Sequence, residues 1–240
     1  MDIARDQKVL ISVIIPAREE EDAIEQTIRQ FEILSIPHEI IVSDGKSTDR
    51  TVEIARAAGA RVVLNESGGR SPSKQRNDGA RLAGGEYVLF IDVTVILPDI
   101  ESFIQNVLKK FENEAVVGIA MPQWIYPEIA TLSDRFFLWI TNIMISAREV
   151  GSGKFIMARK SAFDRIGGFC EELVTGEDHD VFERLKNVGT VFFAKDLYVL
   201  YAGRREHEWG WPKLLYTWIR DEIWIALFKR SGSKDWMPVR

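Results

Sequence analysis

Through its first half the chain alternates between two kinds of stretch: short, almost wholly apolar runs, and longer segments in which apolar residues return every third or fourth position. Residues 9–15 form the first such run and end at Pro16, the pattern of a central parallel strand buried on both faces. Behind them Ala23, Ile24, Ile28 and Phe31 recur at helical spacing, and the acidic residues 19–22 read as a first turn suited to the helix dipole. The unit then repeats. Strands are expected at 39–43, 61–64, 87–91 and 115–121, and helices at about 48–58, 73–83 and 100–111. The last helix has the cleanest apolar face, with Ile100, Phe103, Ile104, Val107, Leu108 and Phe111. This alternation predicts an α/β fold with a mostly parallel central sheet.

Beyond Pro122 the regular alternation gives way to longer, aromatic-rich segments. Helices are expected at 129–147, 161–166 and 177–187, a strand near 154–157, short strands around Val191 and Val199, and a Trp-rich terminal helix. The change in texture divides the chain into residues 1–122 and a smaller lobe, 123–240, joined as one compact unit.

Ligands of open α/β sheets bind at the carboxyl ends of the strands, so the polar residues standing there are the first candidates for chemistry. Asp44 ends one apolar run, just before Gly45. Ser47 or Thr48 can cap the following helix alone, which leaves Asp44 to accept from a nucleobase or a ribose. The stretch 68–77 packs Arg70, Lys74 and Arg76 onto a helix start, a combination that favours anionic oxygens. Asp92 closes the strand at 87–91, where a carboxylate is costly to leave dry and needs solvent, a metal or a hydroxyl. Glu177 and Asp178 open a helix, a placement that dipole effects alone also explain. His179 has no serine or cysteine nucleophile paired with it and reads as a packed or surface residue. No glycine-rich loop of dehydrogenase or P-loop spacing follows the first strand.

Bulk properties narrow the choice. A chain of 240 residues buries a sizeable core, and its net charge of -5 provides no broad field for nucleic acid. One cysteine, Cys170, closes no internal disulfide; with no secretory leader legible, the reading is a reducing cytoplasm. The most apolar segment, 136–145, falls short of the roughly 20 residues that span a bilayer.

In order along the chain, these pieces resemble the family 2 glycosyltransferases with the A-type, nucleotide-sugar-binding fold. The resemblance runs from about Ser12 to Arg205. It rests on Ser12-Val13-Ile14-Ile15-Pro16, Glu20, Val42-Ser43-Asp44-Gly45-Lys46-Ser47-Thr48-Asp49, Lys74-Gln75-Arg76-Asn77-Asp78-Gly79-Ala80, Leu89-Phe90-Ile91-Asp92, Gly167-Gly168-Phe169 and Glu177-Asp178-His179-Asp180. It implies a donor site for a nucleoside diphosphate sugar in the first lobe and an acceptor site in the second. Asp44 and Gly45, with Pro16 and Glu20, would line the nucleotide pocket, and Lys74 and Asn77 would stand at its basic helix start. Asp92 would be the first acid of a metal-binding pair, and Asp178, beside Glu177, the general base of an inverting displacement.

The chain departs from that pattern at three points. Asp92-Val93-Thr94 replaces the usual Asp-Xaa-Asp, Tyr201 stands where relatives often carry a metal-binding histidine, and Glu19 replaces an Asn. Magnesium or manganese, which prefer oxygen ligands, would thus be held weakly, and Lys74, Arg204 and Arg205 are expected to balance part of the charge on the diphosphate or acceptor. His207 is the alternative ligand. Five of the seven tryptophans follow residue 200, in a helix with Lys213, Thr217, Arg220 and Asp221 as one polar stripe. That composition suits either packing on the second lobe or an interfacial helix at the inner face of a membrane, where a polyprenyl-type lipid acceptor would reside. The alternative reading is a non-catalytic sugar-nucleotide or glycan-binding relative. A nucleotidyltransferase fits poorly, because the loop after the first strand is acidic.

Overall fold

The structure, a computed structural model, describes residues 8–65, 71–228 and 230–232. Arg70, Lys229 and the last tryptophan of the terminal cluster, Trp236, lie outside them. Up to Pro122 the elements are β1 (Ile11–Ala17), α1 (Ile24–Arg29) running into a 3-10 turn, β2 (His38–Asp44), α2 (Thr51–Ala57), β3 (Arg61–Leu64), α3 (Pro72–Leu82), β4 (Tyr87–Ile91), α4 (Ile100–Lys110) and β5 (Val116–Ala120). There follow β6 (Gln123–Ile125), α5 (Leu132–Arg148), β7 (Phe155–Arg159), α6 (Lys160–Arg165), α7 (Glu177–Leu185), β8 (Thr190–Phe193), β9 (Val199–Tyr201), α8 (Arg204–Trp209) and α9 (Trp211–Phe228).

Seven strands form one sheet in the order β3-β2-β1-β4-β7-β5-β8, parallel except where β7 runs against β4 and β5. The expected α/β architecture is therefore present. Successive residues of β1 and β4 feed opposite faces: Val13, Ile15, Leu89 and Ile91 join the cluster around Phe31 and Phe103, while Ile14, Val88 and Phe90 join that around Phe163 and Phe182. Strands β7 and β8 come from beyond Pro122, so the second part of the chain completes the sheet of the first.

Several elements differ from expectation, each for a local reason. Pro16 lies inside β1, opposite Ser43; the β1–β4 ladder already ends at Ile14–Phe90, so the missing N–H costs nothing on that side. Helix α1 begins at Ile24 rather than at the acidic run. Residues 19–21 instead zip two loops together: the Thr48 N–H donates to Glu19 and the Arg50 N–H to Glu21, while Glu20 N–H donates to the Thr51 hydroxyl. With Ser47 and Thr48 engaged on Glu19, Asp49 takes the start of α2 and accepts from the Thr51 N–H at 3.0 Å. The strands near Val191 and Val199 do not pair with each other, since β9 pairs with the short β6 in a separate two-stranded sheet.

Asp134 binds α5, α8 and α9 into one block. It completes a capping box with Thr131 at the start of α5, accepts from the Trp211 indole at 2.7 Å and meets His207 at 3.0 Å. Burial opposes its charge, yet the bonds from Thr131, Trp211 and His207 hold its carboxyl at about 2. His207, expected as an alternative metal ligand, is thus engaged by the scaffold carboxylate Asp134.

Candidate functional site

Because β7 runs against β4, its amino end stands beside the carboxyl end of β4, and Gly153-Lys154 comes alongside Asp92. The start of α7 reaches the same place. At the centre is Arg76 of α3, a fully buried guanidinium that the sequence presents as part of a basic loop. Its Nη2 donates to Asp92 Oδ1 at 2.8 Å and its Nη1 to Glu177 Oε1 at 2.7 Å. Gly153 joins the group through its backbone: its N–H donates to Asp178 Oδ2 at 2.9 Å, and its carbonyl lies 3.4 Å from Arg76 Nη2. A Cβ at Gly153 would stand 2.6 Å from that guanidinium and 3.6 Å from Asp92 Oδ2, so glycine is what permits the approach.

The electrostatics follow from this packing. Burial penalises the Arg76 charge, but Asp92 and Glu177 outweigh the penalty and hold its pKa above the ordinary value. Burial and the adjacent Asp178 charge push Glu177 up to about 7, with Arg76 pulling the other way. Asp178 stands at the half-exposed rim and keeps Oδ1 on the His179 N–H at 2.9 Å.

A second group closes on the first from α8. Arg204 Nη1 donates to Glu20 Oε2 at 2.7 Å, and burial nevertheless raises the Glu20 carboxyl, with Asp92 and Asp49 adding to the effect. Arg205 is lowered by burial while Asp92 and Glu177 act on it in the opposite sense, which puts it within electrostatic reach of both. The Lys154 ammonium lies 4.5 Å from the centre of the Tyr201 ring.

At the ends of β1 and β2, Asp44 is 1% exposed. Its Oδ2 accepts from the Ser47 N–H at 2.9 Å, and its Oδ1 is buried without a partner among the described residues. Ser43 Oγ, Arg18 Nε and Ser71 Oγ, on the adjoining segments, are in the same condition. Buried polar atoms are costly to leave unpaired, which marks these strand ends as candidate contacts for a polar guest. Gly45 allows the Gln75 amide to pass and donate to the Ala17 carbonyl at 3.0 Å.

Of the residues singled out in the sequence, Glu20, Asp92, Glu177, Asp178, Arg204 and Arg205 are brought together, with Pro16, Asp44 and Gly45 at the neighbouring strand ends. Lys74 is half-buried in the first turn of α3. Asn77 is engaged elsewhere: its amide exchanges two hydrogen bonds of 2.9 Å with the Phe169 backbone and donates to Glu171. Arg76 was expected on anionic oxygens of a ligand and is instead paired with two carboxylates of the chain; Gly153 and Lys154 were not among the expected site residues, and the Gly-Ser-Gly stretch at 151–153, just before a strand, was the available signal.

The oxygen donors for a divalent cation are few. Asp92 Oδ1 is already on Arg76, the Thr94 carbonyl accepts from the Tyr126 hydroxyl with Thr94 at φ +71°, and Tyr201 is buried and donates to Glu206 at 2.7 Å. Among the described residues no three His, Cys, Asp or Glu side chains are grouped to hold an ion. Asp92 Oδ2 remains, enough for one ligand of an ion otherwise coordinated by phosphate and water.

A family model described as "Glycosyl transferase family 2" matches residues 12–167. A 4,4'-diaponeurosporenoate glycosyltransferase of Staphylococcus haemolyticus is 32% identical over 75% of this chain and 48% of its own length. The poly(ribitol-phosphate) beta-N-acetylglucosaminyltransferase TarS of Staphylococcus aureus is 25% identical over 82% of this chain and 36% of its own. The chain thus spans about half the first relative and about a third of the second. Among solved structures, the mannosyltransferase PcManGT from Pyrobaculum calidifontis, in complex with GDP-Man and Mn2+, superposes with a TM-score of 0.73 at 17% identity, covering 92% of this chain and 65% of that one. At that identity the likeness establishes the A-type glycosyltransferase fold.

Proposed function

The chain belongs to glycosyl transferase family 2, and from that premise we propose that it moves a sugar from a nucleoside diphosphate sugar to an acceptor, with Asp178 as general base. The acceptor oxygen forms a bond to the anomeric carbon as the bond from that carbon to the diphosphate breaks. Asp178 takes the acceptor proton, and the electron pair leaves with the diphosphate. A single displacement with no covalent intermediate inverts the anomeric configuration. The observation that carries this reading is the double tie at Gly153, whose backbone holds Asp178 Oδ2 beside the Arg76–Asp92 pair. Glu177 is committed to Arg76, which leaves Asp178 as the carboxylate at the rim.

In the same reading residues 1–122 supply the donor side and 123–240 the acceptor side. The unpartnered Asp44 Oδ1 accepts from nucleobase or ribose, and Arg204 and Arg205, with Lys74, balance charge developing on the diphosphate. Asp92 Oδ2 is the protein ligand available to a divalent cation, which when bound would neutralise phosphate charge.

The acceptor is read as lipid-linked. Two helices turn apolar residues outward: Leu132, Phe136 and Trp139 on α5, and Ile219, Ile223 and Leu227 on α9. An apolar groove of about 550 Å³ runs beside α5, lined by Trp124, Ile125, Phe136 and Trp139 among others. None of the clustered acids lines it. Among the described residues no helix is long and apolar enough to cross a membrane, so contact would be at the surface, with Arg135, Lys213 and Arg220 exposed beside the apolar face. Flotation of the chain with anionic liposomes at low salt is expected; recovery only in the dense fraction would sink the membrane reading.

The scarcity of metal ligands favours a second reading, a sugar-nucleotide-binding protein without turnover. Asp178→Asn separates the two. Transfer or donor hydrolysis should fall by about 10²–10⁴-fold, while calorimetric affinity for the nucleotide diphosphate is kept. Wild-type turnover in that variant would remove Asp178 as the base, and binding without turnover in the unaltered chain would favour the second reading.

A further inference from the structure

We propose that α9 is a strap that sets the position of the catalytic turn, with Asp221 and Glu222 acting through Thr175 and His179 on the Asp178 carboxylate. The inference rests on the reading of Asp178 as the base and adds positioning residues that touch none of the reacting atoms.

The turn that carries Asp178 lacks a hold of its own. Helix α7 starts from Gly176 at φ +75° with no side-chain cap. Beyond the Arg76–Glu177 pair and the Gly153 amide, what holds the turn comes from residues 221–231, on both sides of Asp178. The Thr175 hydroxyl donates to Asp221 Oδ2 at 2.8 Å, and His179 Nδ1 meets Glu222 Oε1 at 2.7 Å. The Val174 and Thr175 N–H groups both donate to Ser231 Oγ, at 2.8 and 3.0 Å. Gly176 lies so close to Ile225 that a Cβ there would stand 2.8 Å from its Cδ1.

The strength of the hold follows from burial. Asp221 is 3% exposed, and its other oxygen accepts from Arg220 at 2.7 Å. A buried carboxylate stays where its hydrogen bonds are made, so Asp221 resists any movement of Thr175. The sequence presents Asp221 as part of one polar stripe with Lys213, Thr217 and Arg220; it lies on the inner face of α9, while Ile219, Ile223 and Leu227 face outward. The link to chemistry is the His179 backbone, whose N–H donates to Asp178 Oδ1 at 2.9 Å. A shift of His179 released from Glu222 therefore moves one of the two bonds that aim Asp178; the other, from Gly153, comes from β7's side and is independent of α9.

The test uses the full chain, unliganded, for hydrogen exchange by mass spectrometry, and steady-state kinetics with whichever of a panel of UDP- and GDP-sugars is turned over. Glu222→Ala is expected to speed exchange in residues 174–179 by about tenfold or more, since it lowers the local opening free energy. It should also lower kcat by roughly 10- to 100-fold with KM for the donor within about twofold, the split expected when a catalytic group is displaced and donor contacts are kept. Glu222→Gln, whose amide oxygen still accepts from the imidazole, should restore both. Thr175→Val repeats the test from the other side of Asp178 without removing a buried charge.

Exchange in residues 174–179 at the wild-type rate in both Glu222→Ala and Thr175→Val would overturn the proposal, as would an equal effect of Glu222→Ala and Glu222→Gln on kcat. Retained turnover in Asp178→Asn would defeat the base assignment alone, with the exchange comparison still judging the strap.

Discussion

Removing the Arg76 guanidinium is the sharpest probe of the site, because it bridges two acids that nothing else in the vicinity neutralises equally. Arg76→Met keeps the aliphatic stem and deletes the charge. Both the Arg76 and Glu177 side chains are almost sealed from solvent, at 3% and 5% exposure, whereas Asp92 at 35% can turn to water. The loss is thus set by an orphaned buried Glu177 and should be about 3–5 kcal/mol, the usual cost of breaking a buried pair from one side. For a chain of this size each kcal/mol moves Tm by roughly 2–4 °C, so a fall of about 6–20 °C is expected. Urea denaturation of the full chain, followed by circular dichroism, measures the difference. In the Arg76→Met, Glu177→Gln double variant the orphaned charge is gone, and about 1–3 kcal/mol should return. Arg76→Lys should be intermediate, since one ammonium does not serve two carboxylates with the geometry of the fork. The deficit of Arg76→Met should be smallest below about pH 7, where Glu177 holds a proton even beside Arg76, and widen above it, where the intact pair ionises and the variant must keep Glu177 protonated or bury its charge alone. A loss under about 1 kcal/mol, or a double variant no more stable than Arg76→Met, would refute the account of this bridge.

Further outcomes follow from the same geometry. With Glu177 pushed up to about 7 by burial and by Asp178, kcat/KM should rise through neutrality as that proton leaves and the Arg76–Glu177 ion pair beside the base forms fully. Glu177→Gln should erase this inflection, and an unchanged profile in the variant would refute the assignment. Excess chelator should leave most turnover intact, since Arg205 lies within electrostatic reach of Asp92, Arg204 is on neighbouring Glu20, and one carboxylate oxygen is offered to an ion. Activity abolished by chelator and restored by manganese would assign the charge-balancing role to the metal.

Much of the sheet was legible because parallel strands buried on both faces are written as unbroken apolar runs, as in β4 at the expected 87–91; the edge strand β3, partly exposed, also falls at the expected 61–64. What escaped detection was short or long-range. Strand β6 has three residues and α8 six, too few for a period to develop. The acids at 19–21 look like a helix start because the partners that claim them lie 28 to 31 residues away. The Arg76–Glu177 tie spans 101 residues, and a cation in a glycine-rich basic stretch reads as a contact for a ligand's anionic oxygens until the fold supplies its carboxylate partners. Asp44 and Asp92 were legible by position alone, each at the carboxyl end of a strand whose neighbours point to a crevice. The partners of Tyr201 and His207, Glu206 and Asp134, could not be read from the sequence.

Gly153 gives one peptide unit two neighbours, an amide turned to Asp178 and a carbonyl near Arg76. The proton acceptor and the fixed positive charge therefore share a fulcrum: a tilt of that unit which loosens one loosens the other. Substitutions that nudge the entry to β7, however remote from the crevice, should alter proton removal and charge placement in step, so this family member can retune its reactivity there only by moving both together.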